Sequence, residues 1–301
     1  MCRYDISPLI GGGKSIKKIF LLNASILLVF GTYTLYVSNK TNWALQVIDF
    51  QNIEGTASKR PIKIALIDSG IQAEKANVTV AETFNGNGSN DSYGHGTAIA
   101  SIIGAKKSLL NPVEGVFKNV VFYDANVLDE NGNTSISDIV AAIDWAIKHE
   151  VDIINMSFGI QKDDPALHET IKKGYEQNII FVAAAGNNLG FEADYPARYH
   201  EVLSISSIDK NLKRDPTAAK NKVDYVTPGI NVQAVKINKM RDKSLDGTSY
   251  ATAYATGIIA QLLSEQKIDR TSYFKHLKDY AKPLGKQSEY GNGLLTLKKG
   301  D

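Results

Sequence analysis

The chain has 301 residues, and its 34 basic and 32 acidic side chains give a formal net charge of +2. Hydrophobic residues make up 43% and charged residues 22% of the chain, which is typical of a globular protein and excludes a disordered or fibrous one. The balanced charge predicts no nucleic-acid partner, and the single cysteine, Cys2, excludes an intramolecular disulfide framework and a Cys-ligated structural zinc site.

The first predicted element is an apolar segment at residues 19–37, which contains no charged side chain. As a helix it would be roughly as long as the ~30 Å hydrocarbon core of a bilayer is thick. Residues 1–18 carry four basic side chains and one acidic side chain. The positive-inside rule therefore predicts a short cytoplasmic leader, a single-pass signal anchor in the cell membrane, and an extracellular remainder. The alternatives are a cleaved signal peptide, which would leave the remainder secreted, and a buried or surface-lying helix.

After residue 37, apolar strand-like runs alternate with helical patterns. Strands are predicted at residues 61–67, 120–127, 151–156, 179–185, 202–208 and 223–226. Helices are predicted at residues 135–148, 249–263 and 271–280, and Ser135 is the expected N-cap of the first. This alternation is typical of an α/β fold with a mostly parallel sheet and helices on both faces. No repeat or Pro/Ser-rich linker interrupts it, so residues 38–301 are predicted to form one domain.

Three polar side chains lie where α/β folds place active sites, just past strands or at helix starts. Asp68 ends the first strand, His95 lies between two glycines at a helix start, and Ser249 begins a later helix. A serine hydroxyl becomes nucleophilic when an imidazole accepts its proton, and a carboxylate fixes the tautomer of that imidazole. These residues supply the three groups in the chain order Asp, His, Ser.

The segments around these residues resemble the aspartate, histidine and serine boxes of subtilisin-like serine proteases. Further segments resemble parts of the same family in the same order: residues 155–159, 183–188, 195–209 and 290–293. The resemblance implies the three-layer subtilisin-like fold. It also implies a serine endopeptidase that hydrolyses peptides through an acyl-enzyme and needs no cofactor for catalysis.

By this resemblance, Ser249 attacks the scissile carbonyl, His95 accepts the serine proton, and Asp68 orients the imidazole. The side-chain amide of Asn187 would donate a hydrogen bond to the oxyanion beside the Ser249 backbone N–H. Two segments are implied to bind the substrate: Ser157, Phe158 and Gly159, and Ala184, Ala185 and Gly186.

Alignment with the family on Tyr195 and Pro196 implies that Asp194 lies near the floor of the pocket that receives the side chain before the scissile bond. A buried carboxylate there would favour Lys or Arg through a charge-assisted contact, whereas a solvated loop charge is the alternative. Family members often bind structural calcium, and Asn77 and Asn111 are the candidate ligands here. Acidic residues are sparse around both asparagines, so the sequence gives calcium little support.

Two departures from the family pattern indicate a divergent member. The helix that begins at Ser249 has Tyr250 and Ala253 where methionine and proline are usual, and the interval before Asp68 is too short for an inhibitory prodomain. Small anchored members without a prodomain resemble the leader peptidases that mature lanthipeptide bacteriocins, so we predict a monomeric processing protease of that kind. The alternatives are a general processing or quality-control subtilase and a catalytically inactive peptide-binding surface protein.

Overall fold

The computed structural model describes residues 42–51, 60–84, 90–241 and 243–300. The basic leader at residues 1–18 and the apolar segment at residues 19–37 lie outside this part of the chain. Within it, no helix combines the length and the apolar character needed to cross a bilayer.

A nine-stranded sheet forms the centre of the described chain. Its strands are β1 Ile62–Asp68, β2 Val80–Thr83, β3 Val120–Asn126, β4 Ile153–Met156, β5 Ile180–Ala184, β6 Val202–Ile208, β7 Tyr225–Pro228, β8 Ala281–Lys282 and β9 Leu294–Leu295. Their spatial order is β2-β3-β1-β4-β5-β6-β7-β9-β8, and neighbours are parallel except for the antiparallel pair β8 and β9. The predicted mostly parallel sheet is therefore confirmed.

Helices cover both faces of this sheet. They are α1 Trp43–Val47, α2 Ala73–Ala76, α3 His95–Gly104, α4 Ile136–Lys148, α5 Pro165–Glu176, α6 Thr248–Ser264, α7 Tyr273–His276 and α8 Gln287–Tyr290. Successive side chains of β1 enter different cores, because a strand points alternate residues to opposite faces. Ile64 and Leu66 pack with α3 and α6, whereas Ala65 and Ile67 pack with α4 and α5. The result is the predicted three-layer arrangement.

The start of α4 follows the predicted capping chemistry. The Ser135 hydroxyl accepts the backbone N–H of Asp138 at 3.1 Å, and the Asp138 carboxylate lies in the first turn, where the helix dipole favours negative charge. Ile139 and Ile143 are fully buried on the stripe that faces the sheet. Local capping and hydrophobic periodicity therefore predict the same helix, and it forms.

The last predicted helix, at residues 271–280, differs from the structure. It divides into α7 and a 3-10 helix, Leu277–Tyr280. Leu277 and Tyr280 are both buried, and a 3-10 helix brings residues three apart to one face. Tertiary burial of this pair replaces the continuous α-helix that the local pattern indicates.

The carboxyl ends of β1, β4 and β5 lie side by side at one edge of the sheet. Parallel pairing aligns Ile67 with Met156 and Met156 with Ala183. The chain segments that follow these strands therefore emerge together, and the first turns of α3 and α6 pack beside them. This edge holds the candidate site.

Candidate active site

Asp68 and His95 are in direct contact at the end of β1. The His95 Nδ1 atom lies 2.8 Å from Oδ1 and 3.0 Å from Oδ2 of Asp68, and the carboxylate is fully buried. Since an ionised carboxylate only accepts hydrogen bonds, this contact holds the proton on Nδ1 and leaves Nε2 as the basic nitrogen. The Ser69 backbone N–H also donates to Asp68, at 2.8 Å, which fixes the orientation of the carboxylate.

A close approach of backbones brings His95 to this carboxylate. A Cβ atom on Gly96 would lie 2.3 Å from the carbonyl oxygen of Gly70, so only glycine allows α3 to begin here. Gly94 precedes the helix with φ at +95°, in the region that favours glycine. The small neighbours of His95 in the sequence therefore serve the packing of the first turn of α3 on the end of β1.

Asp91 is a buried residue of the site that the sequence reasoning missed. Its carboxylate accepts the backbone N–H groups of Gly94 at 2.6 Å and Thr97 at 2.8 Å, and the hydroxyl of Ser69 at 2.8 Å. The same hydroxyl accepts the Gly96 N–H at 2.9 Å. An acid a few residues before a glycine-rich helix start was the available signal, because helix N-termini attract carboxylates.

The acidic surroundings of His95 control its proton affinity. Burial alone would lower the pKa of the imidazole, but the charge and hydrogen bond of Asp68, together with the charge of Asp91, outweigh it. A smaller opposing effect comes from Lys243. The pKa of His95 is consequently raised above its ordinary value of 6.5.

A third acid near Asp68 and Asp91 is Asp124, which lies on the neighbouring strand β3 opposite Leu66 of β1. It is 2% exposed, its Oδ2 accepts the Ile71 N–H at 3.0 Å, and its Oδ1 has no hydrogen-bond partner among the described residues. Burial raises the pKa of Asp124 to about 7, and the charges of Asp91 and Asp68 act in the same direction. An acid inside an apolar strand run was visible in the sequence, but its neighbours were not.

Ser249 lies in the first turn of α6, close to the imidazole. Its hydroxyl donates to the Ser157 carbonyl at 2.6 Å, and the Ser157 hydroxyl donates to the Ser249 carbonyl at 3.2 Å. The single hydroxyl hydrogen of Ser249 is thus directed at Ser157 in this rotamer, and not at His95. The neighbouring Tyr250 ring lies 5.7 Å from the His95 ring between centroids, which places the first turn of α6 beside the imidazole.

Asn187 lies beside the same helix start. Its Oδ1 accepts the Thr248 backbone N–H at 3.1 Å, which leaves the Nδ2 hydrogens as donors. A Cβ atom on Gly247 would lie 2.8 Å from Nδ2, and Gly247 has φ at +129°. The side-chain amide and the first turn of α6 therefore present hydrogen-bond donors to the same small region.

The two predicted substrate segments lie at the carboxyl ends of neighbouring strands, β4 and β5. They are Ser157, Phe158 and Gly159, and Ala184, Ala185 and Gly186. Asp194 lies between them. A Cβ atom added to Gly159 would lie 2.9 Å from the Asp194 Oδ2, and one added to Gly186 would lie 2.1 Å from the same atom. The backbone N–H of Asp194 donates to the Ala185 carbonyl at 2.8 Å. Both glycines thus make room for this carboxylate.

The environment of Asp194 differs from that of its neighbour Glu192. Burial raises the pKa of Asp194, against a hydrogen bond from Asn188 and the charge of Arg198. Glu192 is exposed and forms an ion pair with Arg198 at 3.1 Å. Of the two acids in this loop, Asp194 is the half-buried one, held at the junction of the substrate segments.

The two candidate calcium ligands use their side chains differently. The Asn111 amide donates to the carbonyls of Lys75 at 3.3 Å and Ala76 at 3.2 Å, and its Oδ1 accepts the Val113 N–H at 3.1 Å. Asn77 donates to the Lys106 carbonyl. Calcium needs six to eight oxygen ligands, whereas the amide groups of these two asparagines form hydrogen bonds within the protein. Their contacts add nothing to the weak support for calcium in the sequence.

Comparison with known proteins gives a consistent result. The model of the subtilase family matches residues 59–293. Minor extracellular protease Epr of Bacillus subtilis (strain 168) is 31% identical over 272 residues, which is 86% of this chain and 42% of that protein. Subtilisin DY of Bacillus licheniformis is 32% identical over 246 residues, or 78% of this chain and 89% of that protein. Thermostable alkaline protease of Halalkalibacterium halodurans is 31% identical over 270 residues, which is 86% of this chain and 73% of that protein.

Proposed function

The chain belongs to the subtilase family and is a serine endopeptidase, and from that premise we propose that Asp68, His95 and Ser249 carry out its reaction. The observation that carries the proposal is the contact of 2.8 Å between the His95 Nδ1 and a fully buried Asp68. In the proposal, the remaining ring nitrogen of His95, Nε2, is the base that accepts the Ser249 proton.

In the proposed reaction, the Ser249 Oγ attacks the scissile carbonyl carbon and His95 takes the hydroxyl proton. His95 then gives that proton to the departing amine, and the acyl-enzyme is hydrolysed by water in the reverse sequence of proton transfers. The Asn187 Nδ2 and the Ser249 backbone N–H donate to the oxyanion of each tetrahedral intermediate. The N-terminus of α6 adds a favourable dipole at the same point.

We further propose that the enzyme cleaves after Lys or Arg. The support is Asp194, whose carboxylate lies against Gly159 and Gly186 at the junction of the two substrate segments. A substrate guanidinium or ammonium entering there would form a charge-assisted hydrogen bond with a partly desolvated acid.

The physiological substrate that we propose is a lanthipeptide precursor, from which the enzyme removes the leader peptide. An acidic specificity pocket supports this, because a processing protease must recognise one defined junction. A general processing or quality-control role is the alternative. Incubation with a modified lanthipeptide precursor should give one cut after a basic residue and little cleavage of unfolded casein, whereas rapid cleavage of casein at many sites would contradict the proposal.

We also propose that the peptidase region acts outside the cytoplasmic membrane and is held there by residues 19–37. The basic residues 1–18 before an uncharged apolar segment support this topology. The extracellular location in the name of Epr agrees with it. In intact cells, externally added proteinase K should degrade the peptidase region, and full protection of that region would contradict the topology.

The enzymatic proposal is tested by variants of the full-length protein. Peptides with Arg before the scissile bond should be hydrolysed by the unaltered chain, while Ser249→Ala and His95→Ala should each lose on the order of 10³-fold or more in kcat. Ser244→Ala is the matched control, because that serine is exposed and five residues away. Peptide binding without turnover in the unaltered chain would instead support an inactive peptide-binding protein.

A further inference from the structure

A cluster of two histidines and one glutamate lies outside the catalytic site. His168 belongs to α5, whereas His200 and Glu201 lie in the turn just before β6. One potential ligand atom from each side chain lies within 4.8 Å of the other two. The cluster therefore brings together residues that are 33 positions apart in the chain.

The distances in this cluster suit a tetrahedral metal centre. The Glu201 Oε2 lies 3.2 Å from the His168 Nε2 and 3.2 Å from the His200 Nδ1. Ligands about 2.0–2.1 Å from a tetrahedral ion are separated by roughly 3.3 Å, so both distances already match tetrahedral edges. The His200 side chain is 82% exposed and can complete the third edge without disturbing the core.

The carboxylate at the centre of the cluster is unusually buried. The Glu201 side chain is 2% exposed, and both imidazoles are in contact with its carboxylate. The Tyr273 phenol is also close enough to feel the charge of Glu201. A buried carboxylate needs compensation, which a protonated imidazole or a cation supplies. A dication held by all three groups would neutralise Glu201 while the histidines stay neutral.

Neighbouring residues fix one of the imidazole rings. The Tyr199 ring stacks on His168 with a centroid distance of 4.0 Å and an interplanar angle of 5°. The Tyr199 hydroxyl donates to Asp163 at 2.6 Å, which anchors the stacking ring to the chain segment before α5. Metal centres gain affinity when surrounding groups orient their ligands in this way.

We propose that His168, His200 and Glu201 bind one Zn²⁺ ion. Two imidazole nitrogens and a carboxylate oxygen are ligands that zinc prefers, and calcium would require more oxygens than the cluster offers. The exposed side of His200 leaves the fourth position to water. The ion would join α5 to the turn before β6. The chain that leads into this turn begins at Asp194, so the ion would also restrain that segment.

The test is calorimetric titration of the full-length chain with ZnCl₂. The protein carries Ser249→Ala to prevent self-digestion and has no polyhistidine tag. We expect one ion per chain, a higher unfolding temperature with Zn²⁺, and no comparable effect of CaCl₂. His200→Gln should weaken Zn²⁺ binding at least about tenfold, since one ligand of three is lost.

Controls separate this site from incidental zinc binding. His276→Gln should bind Zn²⁺ like the unaltered cluster, because His276 lies outside it. Glu201→Gln should also weaken binding, and His200→Gln keeps the test decisive if that buried change impairs folding. Absence of binding, or binding that His200→Gln leaves unchanged, would overturn the proposal.

Discussion

Asp194 carries the proposed substrate preference at the level of a single residue. Asp194→Asn removes the charge that faces a substrate Arg or Lys, so kcat/KM for such peptides should fall roughly 10- to 100-fold. Peptides with Leu at that position should be cleaved at an unchanged or higher rate. Steady-state kinetics on matched peptides checks this. Glu192→Gln is the matched control, since that acid is exposed, and an unchanged arginine preference in Asp194→Asn would refute the assignment.

Asp91 contributes to the pH dependence of the proposed base, His95. His95 must be neutral to accept a proton, so kcat/KM should fall as the pH drops through the raised pKa of His95, above its ordinary value of 6.5. Asp91→Asn removes one of the charges that raise that pKa, so this acid limb should move to lower pH. The pH profile of kcat/KM measures it, with Glu130→Gln as an exposed control. A limb that stays in place, or moves to higher pH, would contradict the role of Asp91.

At the level of elements, helix α6 holds the proposed nucleophile, Ser249, in place because the helix is buried almost throughout its length. Its Thr256 hydroxyl donates to Asn155 on β4 at 2.8 Å, and the Asn155 amide donates to the Ser157 hydroxyl at 2.9 Å. The helix is thereby tied to the substrate segment that meets Ser249. We expect the first turn of α6 to be rigid, and its Thr248 N–H to hold the Asn187 amide in a fixed orientation.

Gly247 and Asn187 should act as one unit at this helix start. Asn187→Ala should lower kcat by on the order of 10²- to 10³-fold with little change in KM, a magnitude that itself comes from a subtilisin. Gly247→Ala should cause part of the same loss, because its Cβ would lie 2.8 Å from the Asn187 Nδ2. In the double variant the losses should not add. Gly190→Ala, also at positive φ but with the flexible Lys220 as its neighbour, is the control, and additive losses would contradict the coupling.

The elements show where sequence reasoning succeeds and where it stops. Continuous apolar runs predicted the central strands, and Ser135 with its hydrophobic stripe predicted α4, because each signal is local. Helix α5 was not predicted, although Asp164 caps it and Pro165 occupies its first turn. Its low overall hydrophobicity hides the buried pair Leu167 and Ile171, so composition gave little warning.

For the whole molecule, the sheet decides which distant residues meet. The sequence motifs predicted Asp68, His95 and Ser249 as partners. The structure brings the first two into contact and places the helix turn that carries Ser249 beside His95. The sequence alone could not predict that Asp124 lies near Asp68 or that His168 contacts Glu201. These contacts depend on strand order and helix packing, which no local pattern records.

Asp124 affects the stability of the whole fold. Its carboxyl has a folded-state pKa of about 7 against an ordinary 3.8, so between these values unfolding releases a proton and stability falls as pH rises. Above pH ~7, the ionised Asp124 lowers the free energy of unfolding by on the order of 4 kcal/mol. Asp124→Asn should therefore raise the free energy of unfolding by up to this amount at pH 8, and much less at pH 4.

Urea unfolding at both pH values, in a Ser249→Ala background, measures this difference. Asparagine keeps the oxygen that accepts the Ile71 N–H, so the change tests mainly the charge. Glu130→Gln, at an exposed acid, should leave the pH dependence unchanged. An Asp124→Asn protein that is equally destabilised at both pH values would indicate that the residue acts through packing alone.

Ser249, activated by His95 and Asp68, is the proposed nucleophile of this protease. The most direct measurement is labelling of the full-length protein with a fluorophosphonate, followed by mass spectrometric mapping of the modified peptide. We predict one stoichiometric label on Ser249, no label in Ser249→Ala, and strongly slowed labelling in His95→Ala. A label on another residue, or equal labelling of Ser249→Ala, would show that Ser249 is not the nucleophile.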